Sequence, residues 1–275
     1  MSELLDTSRL CVHTITTKPW SLSESIDKFE NAGVGGISVW QDAATSIGIK
    51  ESAKLLSASD LDVVSYVRGG FFAATSEDKR QKAIDHNKKL IDEAATLGAP
   101  LLVLVCGADP GQTLQTSRHQ IQKGIEAIAN YAEANNVKLG IEPLHPMYSD
   151  TRSAIVNLAQ SNNIAEAIDN PMVGVVIDVY HLWWDDLLKQ QIDRCGKQNN
   201  IFAFHTCDWG VPTTDMLNDR ELMGQGCIQT KQIREWVDDT GFNGYIEVEV
   251  FSNKYWSQDQ DQYLKKIVEA YKNYA

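Results

Sequence analysis

The sequence predicts one α/β domain, a closed (β/α)8 TIM barrel. Three observations lead there. Eight short apolar runs alternate strictly with eight stretches of helical periodicity, as in a parallel sheet joined by helical crossovers. The chain of 275 residues holds eight such units with no linker or low-complexity segment, so residues 1–275 are read as a single domain. No GxGxxG follows the first strand and no GxxxxGK(S/T) occurs anywhere, which argues against an open doubly wound sheet.

Residues 9–14 form the first predicted strand. Ser21 or Ser23 then caps a helix running to Asn31, and Gly33 stops it. Residues 36–40 are the second strand, followed by a helix over 46–57. The third strand, 61–67, leads into a glycine-flanked loop, Arg68-Gly69-Gly70-Phe71-Phe72, and a long helix over 76–97 ends at Gly98. Strand four covers 101–106, and Thr116 or Ser117 starts a helix through Ala134. Strand five, 138–142, is ended by Pro143, which cannot donate to a ladder. A helix over 151–168, strand six over 173–178 and a short helix over 185–195 follow. Strand seven is 201–205. A long polar loop over 208–226 leads to a helix over 230–239, strand eight over 245–250 and a last helix over 258–271.

Charge and cysteines bound the function. The net charge of −12 argues against a nucleic-acid or anionic-membrane partner. The start, Met1-Ser2-Glu3-Leu4-Leu5-Asp6, lacks the basic-then-apolar pattern of a signal peptide. The run 101–106 is far too short to span a bilayer. Cys11, Cys106, Cys195, Cys207 and Cys227 form no CxxC pair, so they are read as reduced thiols of a cytoplasmic protein. A homo-oligomer is left open.

Strand residues alternate between the barrel interior and the helices. Taking the uniformly large apolar face as outward puts Leu139, Ile141, Val175, Ile177, Phe202, Phe204, Ile246, Val248 and Val250 against the helices. Gly140, Glu142, Gly174, Val176, Asp178, Ile201, Ala203, His205, Glu247 and Glu249 then face inward. The polar residue nearest the C-terminal end of four neighbouring strands thus points into the barrel, at the end where barrel active sites lie. Glu142, Asp178, His205 and Glu249 share one level. Three carboxylates and one imidazole suit one divalent cation, Mn²⁺, Mg²⁺ or Co²⁺. Without one, clustered carboxylates repel and one takes up a proton. Glu247 is the rival on strand eight; its place deeper in the barrel favours Glu249.

Ile141-Glu142-Pro143-Leu144, Ile177-Asp178-Val179-Tyr180-His181, Phe204-His205-Thr206-Cys207-Asp208 and Glu247-Val248-Glu249-Val250-Phe251 together resemble the xylose isomerase-like sugar isomerase/epimerase superfamily, which includes ketose 3-epimerases, hydroxypyruvate isomerase and inosose dehydratase. The resemblance spans the chain with the motifs in family order. It implies that Glu142, Asp178, His205 and Glu249 hold the metal and that Glu142 and Glu249 also transfer protons on opposite faces of the substrate. It marks His181 as a substrate contact. Ketose 3-epimerases carry a substrate-binding arginine a few residues after the strand-seven histidine; Asp208-Trp209-Gly210-Val211 stands there instead, and the nearest arginine is Arg220.

Other residues are weighed singly. Arg68, at a strand end between glycines, offers a guanidinium for a carboxylate or for polyol oxygens, or for a salt bridge to Asp62. Trp40 and Trp209 fall at strand ends, where aromatic walls suit a sugar ring. Asp208 joins the metal shell or braces its loop. His13, at the top of strand one, reads as a core histidine ahead of a pocket-lining one, and His145 stays unassigned. The expected function is a metal-dependent isomerase or epimerase of a small, unphosphorylated polyhydroxy ketone or aldehyde, acting through an enediolate; loss of a β-hydroxyl after the same first step makes a dehydratase the alternative. A repair nuclease of the endonuclease IV type requires more histidines and a basic groove, against six histidines and a charge of −12 here. A sugar-binding barrel without chemistry leaves both glutamates unexplained.

Overall fold

The computed structural model describes residues 6–275; residues 1–5, on which most of the reading of the N-terminus rests, lie outside the described residues. Eight parallel strands close into a barrel: β1 (Leu10–His13), β2 (Gly36–Trp40), β3 (Asp62–Gly70), β4 (Leu101–Val105), β5 (Lys138–Glu142), β6 (Val173–Asp178), β7 (Ile201–Thr206) and β8 (Ile246–Val248). Each strand neighbours the next in sequence, and β8 closes on β1 through Leu10 and Ile246. No helix among the described residues is long and apolar enough to cross a membrane.

Local signals set most helix ends. Ser21 makes a capping box with Glu24, Ser76 caps the helix Glu77–Leu97, and Gly98 ends that helix with φ +77°. The main apolar layer lies between strands and helices and includes Leu139, Ile141, Val175, Ile177, Phe204, Ile246, Val248 and Val250. A smaller plug of Val67, Leu101, Val103, Val176 and Ala203 fills the barrel interior. The alternation rule therefore holds on β5, β6 and β8.

It fails on part of β7. Val175 pairs with Ile201 but Val176 pairs with Ala203, so Phe202 sits at an irregularity. One extra residue reverses the facing of what precedes it. Ile201 packs on the outer layer and Phe202 on the inner plug, the opposite of the sequence expectation.

Four boundaries also differ. The helix expected over 46–57 is two helices, Gln41–Thr45 and Ile49–Ser57, separated at Gly48 with φ +88°. The loop expected at Arg68 is strand. There β3 runs on to Gly70, whose N–H donates to Asn87 Oδ1 at 2.7 Å and whose carbonyl accepts from Asn87 Nδ2 at 2.8 Å. Residues 151–157 are not helical: Gly107 bonds Arg152 O and Ala154 N, and Asn157 caps the helix Leu158–Ile168. Within 208–226, Asp208–Trp209 pairs antiparallel with Arg220–Glu221. That ladder folds the loop back over the barrel mouth.

Candidate metal centre

Four strand ends converge at the C-terminal mouth. Glu142 ends β5, Asp178 ends β6, His205 is the penultimate residue of β7, and Glu249 follows β8, its N–H donating to Thr206 O at 3.2 Å. All four are buried, and each offers one ligand atom within 4.8 Å of the others. Ligands about 2.1 Å from one cation lie up to roughly 4.2 Å apart, so small side-chain adjustments suffice.

The hydrogen bonds separate atoms already engaged from atoms left over. Asp178 Oδ1 accepts from Tyr180 N–H at 2.8 Å, capping the short helix Val179–Leu182, and Oδ2 faces Arg220 Nη1 at 3.2 Å. Glu249 Oε2 accepts from Arg220 Nη1 at 3.0 Å, and its Oε1 lies 3.1 Å from His13 Nδ1. His205 Nδ1 and Glu142 Oε1 are 3.0 Å apart, yet neither has a hydrogen-bond partner, and His205 Nε2 has none either. Buried polar atoms without partners are costly. Two donor atoms close together but not aimed at each other are what a shared cation would satisfy. The chemistry of the set and these leftover atoms fit a divalent metal.

Electrostatics agree. Burial raises the Asp178 carboxyl to about 7, against the pull of the Arg220 charge, with Glu142 and Glu249 adding to the rise. Burial lowers His205, but Glu247 and Glu142 outweigh it and push the imidazole up to about 10. Burial opposes ionisation of Glu249, yet the His13 and Arg220 charges hold it well below the usual carboxylate range. With its own groups alone, the site balances its carboxylates with protons and Arg220.

Glu247 stands level with His205 across the β8–β7 ladder, below Glu249, which follows the strand. Its carboxylate is taken up elsewhere: Oε2 accepts from Ser38 at 2.6 Å and lies 3.0 Å from His13 Nε2. It lies 3.7 Å from His205 Nε2, where it orients the imidazole. His13, expected in the core, bridges Glu247 and Glu249 through its two ring nitrogens. Its place at the end of β1 is the signal that favours the pocket over the core.

The remaining candidates divide. Trp40, His181 and Arg220 line a cavity above the carboxylates with Leu144, Tyr148, Arg152, Leu217 and Phe251. Its free volume is about 20 Å³, room for about one water. Arg220 is buried, with its guanidinium carbon 4.3 Å from the Tyr180 ring centroid and 5.0 Å from that of Phe251. Burial and Arg220 hold His181 well below the ordinary imidazole range. Neutral His181 Nε2 accepts from Arg220 Nη2 at 3.3 Å, leaving Nδ1 as the N–H without a partner. Trp209 stands outside the cavity lining and stacks on Tyr180 at 4.7 Å, backing the Arg220 platform. Arg68 makes no ion pair with Asp62, which accepts from Tyr245 instead. Asp208 braces the loop: it accepts from the N–H groups of Trp209, Gly224, Gly226 and Ile228. Cys106 and Cys207 are buried with their thiols pushed up, which suits packing rather than nucleophilic chemistry.

Comparisons with known proteins place the whole chain. The profile described as "Xylose isomerase-like TIM barrel" matches residues 26–274. An inosose isomerase of Halalkalibacterium halodurans is 22% identical over 71% of this chain and 68% of its own. A probable ketose 3-epimerase of Synechocystis is 22% identical over 84% and 83%. Among solved structures, protein SMc04130 of Sinorhizobium meliloti superposes with TM-score 0.95 at 41% identity over 98% of this chain and 99% of its own. The IOLI protein, solved with a binding zinc atom, superposes with TM-score 0.83 at 19% identity over 97% and 99%.

Proposed function

The chain belongs to the xylose isomerase-like TIM barrel family, and from that premise we propose that it is a divalent-metal-dependent isomerase or epimerase of a small polyhydroxy ketone or aldehyde. One observation carries the reading: the four clustered ligand atoms include two, Glu142 Oε1 and His205 Nδ1, that lie 3.0 Å apart as an ion pair yet form no hydrogen bond. Glu142, Asp178, His205 and Glu249 would hold the cation. The oxygen-rich set suits Mn²⁺, Mg²⁺ or Co²⁺, and the zinc of the IOLI structure adds Zn²⁺ to those worth testing.

When bound, the cation supplies Lewis acidity that polarises a carbonyl and acidifies the neighbouring C–H. The protein's own groups do the rest. Glu142 and Glu249 approach the cavity from β5 and from beyond β8. One removes the proton beside the carbonyl, and the other returns it at the opposite face or the neighbouring carbon. His181 Nδ1–H and Arg220 offer donors to substrate oxygens. Trp40 and Phe251 wall the cavity against water.

The test is proton exchange in D₂O. With an accepted ketose or keto-inositol, the signal of the proton beside the carbonyl is lost as product forms. Exchange accompanied by water loss moves the assignment to a dehydratase. No exchange across ketoses, keto acids and keto-inositols contradicts catalysis and leaves a binding barrel.

A further inference from the structure

We propose that Arg68 and Arg152 bind an anionic group on the substrate, so that the compound handled here is a sugar acid or a sugar phosphate rather than a neutral sugar. The inference rests on the reading of the mouth as a carbohydrate site and names the substrate class.

In a chain whose net charge is −12, two guanidinium groups, Arg152 and Arg220, line the cavity and a third, Arg68, lies against its Trp40 wall. Arg220 is paired with Asp178, Glu249 and His181, with its Nε left over for a substrate oxygen. The other two are not. Among the described residues, neither Arg68 nor Arg152 forms an ion pair or donates a side-chain hydrogen bond, although both are half-buried. A guanidinium removed from water this far is normally paired.

Aromatic faces hold both groups in place and leave their N–H forks free. The Arg68 guanidinium carbon lies 5.8 Å from the Trp40 ring centroid and 5.1 Å from that of Phe71. The Arg152 guanidinium carbon lies 5.5 Å from the Tyr148 ring centroid. The Arg68 platform is built at a conformational cost. Phe71 takes φ +58°, which a bulky residue seldom adopts, and it is fixed there by its N–H bond to Val105 O at 2.9 Å. A Cβ on Gly107 would lie 2.7 Å from Phe71 Cα, so the same platform requires glycine at that position.

Arg68 lies against the Trp40 ring, one wall of the cavity. Arg152 lines the cavity with Glu142 and Glu249. Burial and the Arg152 charge lower the Arg68 guanidinium from its ordinary value, while Glu249 and Glu142 partly restore it. Two unpaired cations that repel each other, fixed beside a carbohydrate cavity, match a carboxylate or phosphate monoester approached by two planar forks. A neutral polyol would leave both charges uncompensated.

The test is calorimetric binding to metal-loaded protein with three polyols that lack a carbonyl and cannot turn over: sorbitol, gluconate and sorbitol 6-phosphate. At least one anion is expected to bind about tenfold or more tighter than sorbitol. Preference for gluconate assigns a carboxylate, and preference for sorbitol 6-phosphate a phosphate. Arg68→Gln and Arg152→Gln should each erase most of that preference while leaving sorbitol binding within about twofold. Equal binding of all three polyols overturns the inference, as does a preference that survives in both variants. The wild-type comparison needs no variant to fold. Metal content and D₂O exchange, measured on the same preparation, report separately on the isomerase reading.

Discussion

Glu142→Gln and Glu249→Gln are each expected to lower turnover by about 10²–10⁴-fold, the usual contribution of a positioned acid or base. A proton returned at the opposite face requires both groups. Their surroundings differ. Glu249 is fixed at both oxygens, by His13 on one side and Arg220 on the other, and those charges keep it ionised. Glu142 has no such clamp, and its Oε1 is without a hydrogen-bond partner. Removing either carboxylate leaves one base. That base can still take up a proton and return it on the same side, so slow exchange without product is the expected residue of activity in one of the variants. Because both residues face the cation position, metal content is measured first and the kinetics are compared at equal occupancy. Full turnover by either variant, metal retained, removes that glutamate from the chemistry.

Arg220→Met is expected to cost about 3–5 kcal/mol of folding stability in a chelator, as when one partner of a buried ion pair is removed. Arg220 lies between Asp178 and Glu249, at 3.2 and 3.0 Å, and replacing it strips the buried Asp178 of its counter-charge and leaves Glu249 to His13 alone. It also strips the cation from the Tyr180 and Phe251 rings. A divalent cation that binds the folded protein adds about 2.7 kcal/mol at a hundredfold excess over its Kd. Urea unfolding in EDTA and in Mn²⁺ should therefore show a large loss that shrinks on adding metal. A midpoint unchanged from wild type in EDTA would show that Arg220 balances nothing.

Much of this site could be read along the chain, for a physical reason. Barrel strands keep period two, so alternation puts Glu142, Asp178, His205, Glu247 and Glu249 on the inward face near the strand ends, and height at the mouth favours Glu249 over Glu247. Their convergence, and the brace that Asp208 supplies to the covering loop, are visible in space. Alternation cannot register an irregular pairing, which is why Ile201 and Phe202 exchange faces. Arg152 and Tyr148 escaped for another reason. Residues 151–157 carry helical periodicity but are tied to Gly107 instead, a long-range contact that no local pattern encodes. For His13 the sequence favours core over pocket because a buried histidine at a strand end reads the same whether it packs or bridges two carboxylates. Arg68 was expected in a loop, and the Asn87 side chain that extends β3 comes from a helix beyond it.

The measurement that bears most directly on the metal-dependent reading is elemental analysis of the purified protein beside Asp178→Ala and His205→Ala, after reconstitution with Mn²⁺, Mg²⁺, Co²⁺ or Zn²⁺ and removal of free metal. About one divalent cation per wild-type chain is expected, and a loss of most of it in both variants, since each removes one of about four ligands. Wild-type protein that retains no cation, or variants that retain it at full occupancy, would contradict a metal centre built on these four strand ends.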